Sequence, residues 1–97
     1  MSKLQDMKKS MDEAKSRLEN ISVKVEDRNK EIAIVINGNK KIKDLKISDR
    51  LAQPENKEEL EDILLTTLNQ AIEKAEGINE SEMKGMAKDF LPGMPGM

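Results

Sequence analysis

Residues 31–48 read EIAIVINGNKKIKDLKIS, and this stretch predicts the β-hairpin on which the rest of the chain depends. Isoleucine occupies every second position from Ile32 to Ile36, which is the period of a strand with one face toward a core. The pair Asn37-Gly38 follows this strand. Such a pair is typical of a tight hairpin turn because both residues tolerate positive φ.

The second strand of the hairpin takes its apolar side chains from Ile42, Leu45 and Ile47. Ile42 and Leu45 are three positions apart, so the alternation is broken at Lys43 and Asp44. An extra residue in one strand of an antiparallel pair produces such a break, and we expect a β-bulge here.

A third strand precedes the hairpin. Ile21, Val23 and Val25 alternate with polar residues, and residues 27–30 (DRNK) predict a polar turn between this strand and the next. Two successive hairpins predict a three-stranded antiparallel meander, which is stable only if another element covers its apolar face.

A helix is predicted before the sheet, over residues 3–19. Its apolar side chains recur at spacings of three and four and form a narrow seam: Leu4, Met7, Met11, Ala14, Leu18 and Ile21. A lone helix of this length is marginal in water, so we expect the seam to pack against another surface.

A longer helix is predicted after the sheet. Asn56 and Glu59 are spaced as a capping box at its start, and a broad apolar face between residues 60 and 75 predicts packing on the sheet. Gly77 weakens the helix, but the apolar spacing continues to about Lys88.

Together these elements predict an α+β protein in the order α-β-β-β-α, with one domain over residues 1–90. The last residues, 91–97, read LPGMPGM and predict a flexible tail, because two prolines and two glycines leave few ordered hydrogen bonds.

The composition suggests a protein that does not fold alone. Only 36% of the 97 residues are hydrophobic and 37% are charged, so little apolar surface is available for burial. Neither cysteine for disulfides nor histidine for a structural metal is present. We therefore expect oligomerisation to supply the missing burial.

The missing histidine and cysteine also restrict the chemistry. They exclude the usual general base near neutral pH, thiolate nucleophiles and the common zinc ligands. The sequence thus predicts a non-enzyme without cofactor, metal or small-molecule substrate. It contains no apolar run near the roughly 20 residues of a membrane span and no signal-peptide pattern, so we expect a cytosolic protein without a membrane partner.

Charge is distributed unevenly along the chain, whose net charge is −2. Residues 1–20 carry a net charge of +1, residues 21–50 carry +3, and residues 51–97 carry −6. Any binding to nucleic acid must therefore come from a local basic patch, because a basic excess is absent overall.

In this order, the segments resemble the YbaB/EbfC family of nucleoid-associated proteins. The matching segments are LQDMKKSMDEAKSRLENISV (4–23), VINGNKKIKDLKISDRLA (35–52), NKEELEDILLTTLNQAIEKAE (56–76) and LPGM in the tail. The resemblance implies a small cytoplasmic, nucleoid-associated homodimer in which the sheets join and the terminal helices project as arms that grip duplex DNA.

The residues expected to bind DNA lie in two groups. The first group belongs to the helices: Lys3, Lys8, Lys9, Lys15, Arg17, Lys84 and Lys88. The second group, expected to be secondary, belongs to the hairpin: Lys40, Lys41, Lys43 and Lys46. The expected dimer and core residues are Leu18, Ile21, Ile32, Ile34, Ile36, Leu64 and Leu68. We expect electrostatic contacts to phosphates with little base readout, since arginines are few.

Two other functions fit the same pattern. Helices flanking hairpins, with exposed methionines, would suit a protein-binding scaffold or a prefoldin-like holdase. An acidic coiled-coil adaptor would suit the negative second half. Gel shifts with unrelated duplexes, set against an aggregation-suppression assay, distinguish these functions from DNA binding.

Overall fold

The structure, a computed structural model, describes the backbone of residues 3–90 and the side chains of residues 5–85. Its elements are α1 (Lys3–Asn20), β1 (Ser22–Glu26), β2 (Ile32–Asn37), β3 (Ile42–Ile47), a 3-10 turn (Pro54–Asn56) and α2 (Lys57–Phe90). The predicted α-β-β-β-α order and the α+β class are confirmed. The predicted flexible tail, residues 91–97, lies outside the described residues.

The three strands form an antiparallel sheet in the order β1-β2-β3. Between β2 and β3 the register shifts: Val35 lies opposite Asp44, whereas Ile36 lies opposite Ile42. Lys43 is the extra residue, so the predicted bulge is confirmed. Because of it, Ile42 and Leu45 both project from the same face of the sheet as the isoleucines of β2.

The turn between β2 and β3 occurs where it was predicted, but its backbone differs from the expectation. The residue in the left-handed region is Lys40, with φ 66°, and not Asn37 or Gly38. Asn37 ends β2 as a buried residue, and its Oδ1 accepts hydrogen bonds from the N–H groups of Asn39 (2.9 Å) and Lys41 (3.0 Å). The side chain of Asn37 therefore shapes the turn through its hydrogen bonds, and a positive φ at Asn37 is not involved.

The core lies between α2 and the sheet, where α2 packs mainly over β1 and β2. Among the predicted core residues, Leu18, Ile32, Ile34 and Ile36 are fully buried, Leu64 and Leu68 pack against the core partly buried, and Ile21 is exposed in the single chain. The small residues Ala71 and Ala75 of α2 are also fully buried. Their size brings the helix close to the isoleucines of β2.

The long helix α2 runs without interruption through Gly77. The capping box expected at its start is wrong, because both partners make other contacts. The Asn56 N–H donates to the carbonyl of Gln53 and its side-chain amide to the carbonyl of Arg50, while the Glu59 carboxylate accepts from the Arg50 guanidinium.

The first helix packs against α2 and against the β2–β3 turn. Ala14 and Leu18 of its apolar seam are fully buried, whereas Met7 and Met11 remain about two-fifths exposed (40% and 41%). At 1.5 Å per residue α2 is roughly 50 Å long, more than twice the length of a six-residue strand. The C-terminal half of α2 therefore extends past the sheet, with α1 beside it.

Candidate nucleic-acid interface

The basic residues of α1 whose side chains are described lie on two flanks and on the outer face of the helix. At about 100° per residue, Lys8 and Lys15 lie on one flank, Lys9 lies on the outer face, and Arg17 lies about 160° around the helix from Lys15. All four side chains are exposed. These four of the residues predicted to bind DNA on α1 are therefore accessible, but they do not form a single row.

On the second flank, Arg17 is already engaged. Its guanidinium forms an ion pair with Glu82 of α2, and Arg17 Nε donates to Glu82 Oε1 at 2.6 Å. Lys84 is two residues further along α2, about 160° around the helix from Glu82, and is exposed. Lys3 and Lys88 lie on the two helices, but their side chains are outside those that the structure describes.

The four hairpin lysines are all exposed. Lys40 and Lys41 lie in the β2–β3 turn and Lys43 is the bulge residue. Lys46 lies opposite Ala33, so it projects from the sheet face that α2 does not cover. The first three therefore surround the tip of the hairpin, and the fourth lies apart from them.

The tip of the hairpin is attached to the first flank of α1 through Asn39. The side-chain amide of Asn39 donates to the carbonyl oxygen of Lys15 (3.0 Å) and to Glu19 Oε2 (2.7 Å). Glu19 Oε1 in turn forms an ion pair with Lys43 Nζ at 3.3 Å. The structure thus brings together two groups of lysines that the sequence presents as separate.

These contacts also favour the ionised form of Glu19. The hydrogen bond from Asn39, and then the one from Lys43, lower the pKa of this carboxyl below its ordinary value. Glu19 is ionised at neutral pH and lies as a negative group near the charges of Lys41 and Lys43.

Sequence reasoning missed Asn39, Glu19 and Asn79 as parts of this region. The Asn79 amide of α2 donates to the carbonyl oxygen of Gly38 at 3.1 Å, so α1, the hairpin and α2 all meet at the turn. These partners are separated by 20 to 41 residues in the chain. A local sequence pattern cannot predict contacts over such separations, and the sequence offers only the Asn-Gly-Asn motif of the turn as a signal.

A second polar cluster lies at the start of α2. Arg50 donates to both oxygens of Glu31, at 2.7 and 2.8 Å, and to Glu59 Oε2 at 2.7 Å. Its guanidinium lowers the pKa of both glutamates, and their carboxylates raise the pKa of Arg50. With Arg50 and Arg17 held by carboxylates, little arginine remains for bidentate contacts to guanine.

Other kinds of site find no support among the described residues. Among the side chains that the structure describes, those of residues 5–85, no group of three or more acidic residues is arranged to hold a metal ion. Over residues 3–90, neither α1 nor α2 is long and apolar enough to cross a membrane.

Residues 1–90 match the model of the YbaB/EbfC DNA-binding family. The whole chain is 36% identical to a "Nucleoid-associated protein" of Flavobacterium johnsoniae and covers 90% of that protein. Over 95 residues it is 38% identical to a "Nucleoid-associated protein" of Clostridium kluyveri, covering 97% of this chain and 83% of the other.

A solved structure shares the fold. It is the crystal structure of an uncharacterized protein from Helicobacter pylori, which aligns with a TM-score of 0.69 at 23% identity over 93% of this chain and 100% of the other.

Proposed function

We propose that this chain, which belongs to the YbaB/EbfC DNA-binding family, binds duplex DNA as a homodimer with little sequence specificity. Contacts to the phosphate backbone supply the affinity. The proposed site of action is the nucleoid, in the cytoplasm. This follows from the name of the chain's relatives, which are called nucleoid-associated proteins.

The observation that carries the proposal is the concentration of exposed lysines on α1 and the hairpin tip. Lys8, Lys9 and Lys15 lie on α1, and Lys40 and Lys41 lie in the turn next to it. The chain as a whole has a net charge of −2, so this region stands out against an acidic background. Lysine heads on an exposed surface can approach phosphates. The acidic α2 lies beside α1, but its Glu82 is paired with Arg17 and therefore repels the phosphates less.

Low sequence specificity follows from the kind of side chains present. Lysine contacts phosphates as a point charge, whereas base readout in the major groove relies mostly on the planar fork of arginine. Arg17 and Arg50 are held by Glu82 and by Glu31 and Glu59. Phosphate contacts position the protein, and little remains to read the sequence.

The proposed homodimer is supported by the apolar residues that the single chain leaves exposed. On β3, Ile42 and Leu45 are 46% and 45% exposed; on α2, Leu65 and Ile72 are 63% and 39% exposed. Leu65 and Ile72 are seven residues apart and so lie on one flank of α2. Gln70, about 140° around α2 from Leu65, lines a groove with the β1–β2 turn, so Leu65 and Ile72 lie on the side toward β3. We name the four exposed apolar residues the β3-side apolar surface. A second copy that covers it also pairs or protects the open edge of β3.

The experiment that tests DNA binding is the affinity for unrelated duplexes measured against salt concentration. If about 4–6 phosphates are neutralised per dimer, log K falls against log salt with a slope of about −4 to −5, independent of sequence. Absence of binding even at low salt would exclude this function. Suppression of aggregation by the same preparation would then favour the protein-binding scaffold.

A further inference from the structure

We propose that one flank of α1 and the hairpin tip form a single phosphate-binding surface, and that the carboxylate of Glu19 limits its affinity from within. The surface consists of Lys8, Lys15, Lys40, Lys41 and Lys43. This inference rests on the proposed function, since it assigns the extent and the internal charge of the same DNA-binding site.

Continuity between the two lysine groups follows from the contacts of Asn39. Its amide donates to the Lys15 carbonyl at 3.0 Å and to Glu19 at 2.7 Å, so the turn lies directly against the C-terminal half of α1. Lys40 and Lys41, which follow Asn39 in the turn, are exposed beside this junction. A duplex approaching either group of lysines therefore meets the other as well.

Glu19 occupies the middle of this surface. It lies about 40° around α1 from Lys15 and therefore shares its flank. Its Oε1 is 3.3 Å from Lys43 Nζ. About half of the Lys43 side chain and two-fifths of the Glu19 side chain are exposed, so both remain accessible to a ligand. The carboxylate thus competes with a DNA phosphate for Lys43 and also repels that phosphate.

The test replaces Glu19 by glutamine. Glu19→Gln keeps an oxygen that accepts the hydrogen bond from Asn39, so the attachment of the turn to α1 is retained. We expect duplex affinity at low salt to rise about three-fold to ten-fold. The slope of log K against log salt becomes steeper by about 0.9 per protomer, because Lys43 becomes available for a phosphate.

Glu13→Gln is the matched control. It makes the same change in net charge on the same helix, but position 13 lies about 120° around α1 from position 19 and is exposed. We expect its duplex affinity to stay within about two-fold of wild type. Equal gains in the two variants would show that net charge alone matters and would overturn the proposal.

A second comparison uses Lys43→Gln. The gain from Glu19→Gln should shrink when Lys43 is also replaced, as a double-mutant cycle measures. An undiminished gain in duplex affinity would show that Glu19 does not compete with phosphate for Lys43 and would overturn the proposal. Thermal unfolding of each variant checks that the fold is retained. If wild type does not bind duplexes at low salt, the proposed function fails together with this inference; if wild type binds and the cycle shows no coupling, only the inference fails.

Discussion

The backbone of Gly38 lies directly against Leu18: its N–H donates to the Leu18 carbonyl oxygen at 2.9 Å. A Cβ at position 38 would lie 2.7 Å from Leu18 Cδ2 and 2.9 Å from Leu18 O. Leu18 is fully buried, so neither its side chain nor its carbonyl can move away easily. The glycine is therefore required by the close approach of the turn to α1.

Replacing this glycine should destabilise the protein. We expect Gly38→Ala to lower the free energy of unfolding by about 1–3 kcal/mol, as other overpacking substitutions do. Gly77→Ala is the control, because nothing lies within 4 Å of a Cβ there and the position is inside α2. That variant should gain about 0.5–1 kcal/mol. Urea unfolding measures both, and a stable Gly38→Ala variant would contradict the close contact.

Ile34→Asp should prevent folding. Ile34 is fully buried in the core, and an unpaired carboxylate at such a position costs several kcal/mol. Val35→Asp places the same group on the opposite face of β2, where the side chain is only half-buried, and should be tolerated better. Thermal unfolding, monitored by circular dichroism, compares the stability of the two variants. A cooperative transition of Ile34→Asp near the wild-type midpoint would mean that the inward face is assigned wrongly.

The oligomeric state tests the β3-side apolar surface. Sedimentation equilibrium at micromolar concentration should give twice the 10.9 kDa mass of the chain. Leu65→Glu should shift the wild-type dimer toward monomer, because it places a charge on the exposed apolar flank of α2. Gln70→Glu, about 140° around α2 from Leu65, is the control and should remain dimeric. A monomeric wild type would exclude the dimer, and a dimeric Leu65→Glu would place its interface elsewhere.

Stability should fall in acid through the carboxylates around Arg50. Glu31 and Glu59 have pKa values lowered below the ordinary 4.5 by the hydrogen bonds from Arg50. Because the folded pKa is the lower one, the stabilisation is complete above pH 4.5 and is lost as pH falls through the folded values. Arg50→Met should therefore lower the thermal midpoint at pH 7, and its difference from wild type should narrow by pH 3. A difference independent of pH would assign the effect to packing by the Arg50 side chain.

Charge reversal distinguishes the contributions of α1 and the hairpin to DNA binding. Replacing Lys8, Lys9 and Lys15 by Glu changes the charge by −6 per protomer and leaves the buried Ala14 and Leu18 untouched. We expect this variant to lose duplex binding at moderate salt, since repulsion is added to the lost attraction.

The matched comparison reverses Lys40, Lys41 and Lys43, which carry the same total charge. We expect a partial loss of binding in this second variant, with both variants confirmed as dimers beforehand. Loss in the hairpin variant alone would relocate the site away from α1. Undiminished binding in both would exclude the two groups of lysines.

The order of the elements and the faces they turn toward the core could be predicted from local sequence patterns. The isoleucines from Ile32 to Ile36 predicted an inward strand face, and the three-residue spacing between Ile42 and Leu45 predicted the bulge; the structure confirms both. These features could be read in advance because each depends on neighbours within a few positions. Side-chain periodicity in strands and helices is a local property of the backbone.

The contacts between polar groups, in contrast, depend on how the elements pack in three dimensions. Glu59 was spaced to cap α2, yet it binds Arg50 instead, and Gly38 is needed for its contact with Leu18 and not for positive φ. The attachment of Asn39 to the end of α1, 24 residues away in the chain, joins two groups of lysines that looked independent. Such pairings depend on how α1 is oriented on the sheet. The sequence predicted that the seam with Ala14 and Leu18 packs, and both are buried, but the surface that receives the seam comes from residues far away in the chain.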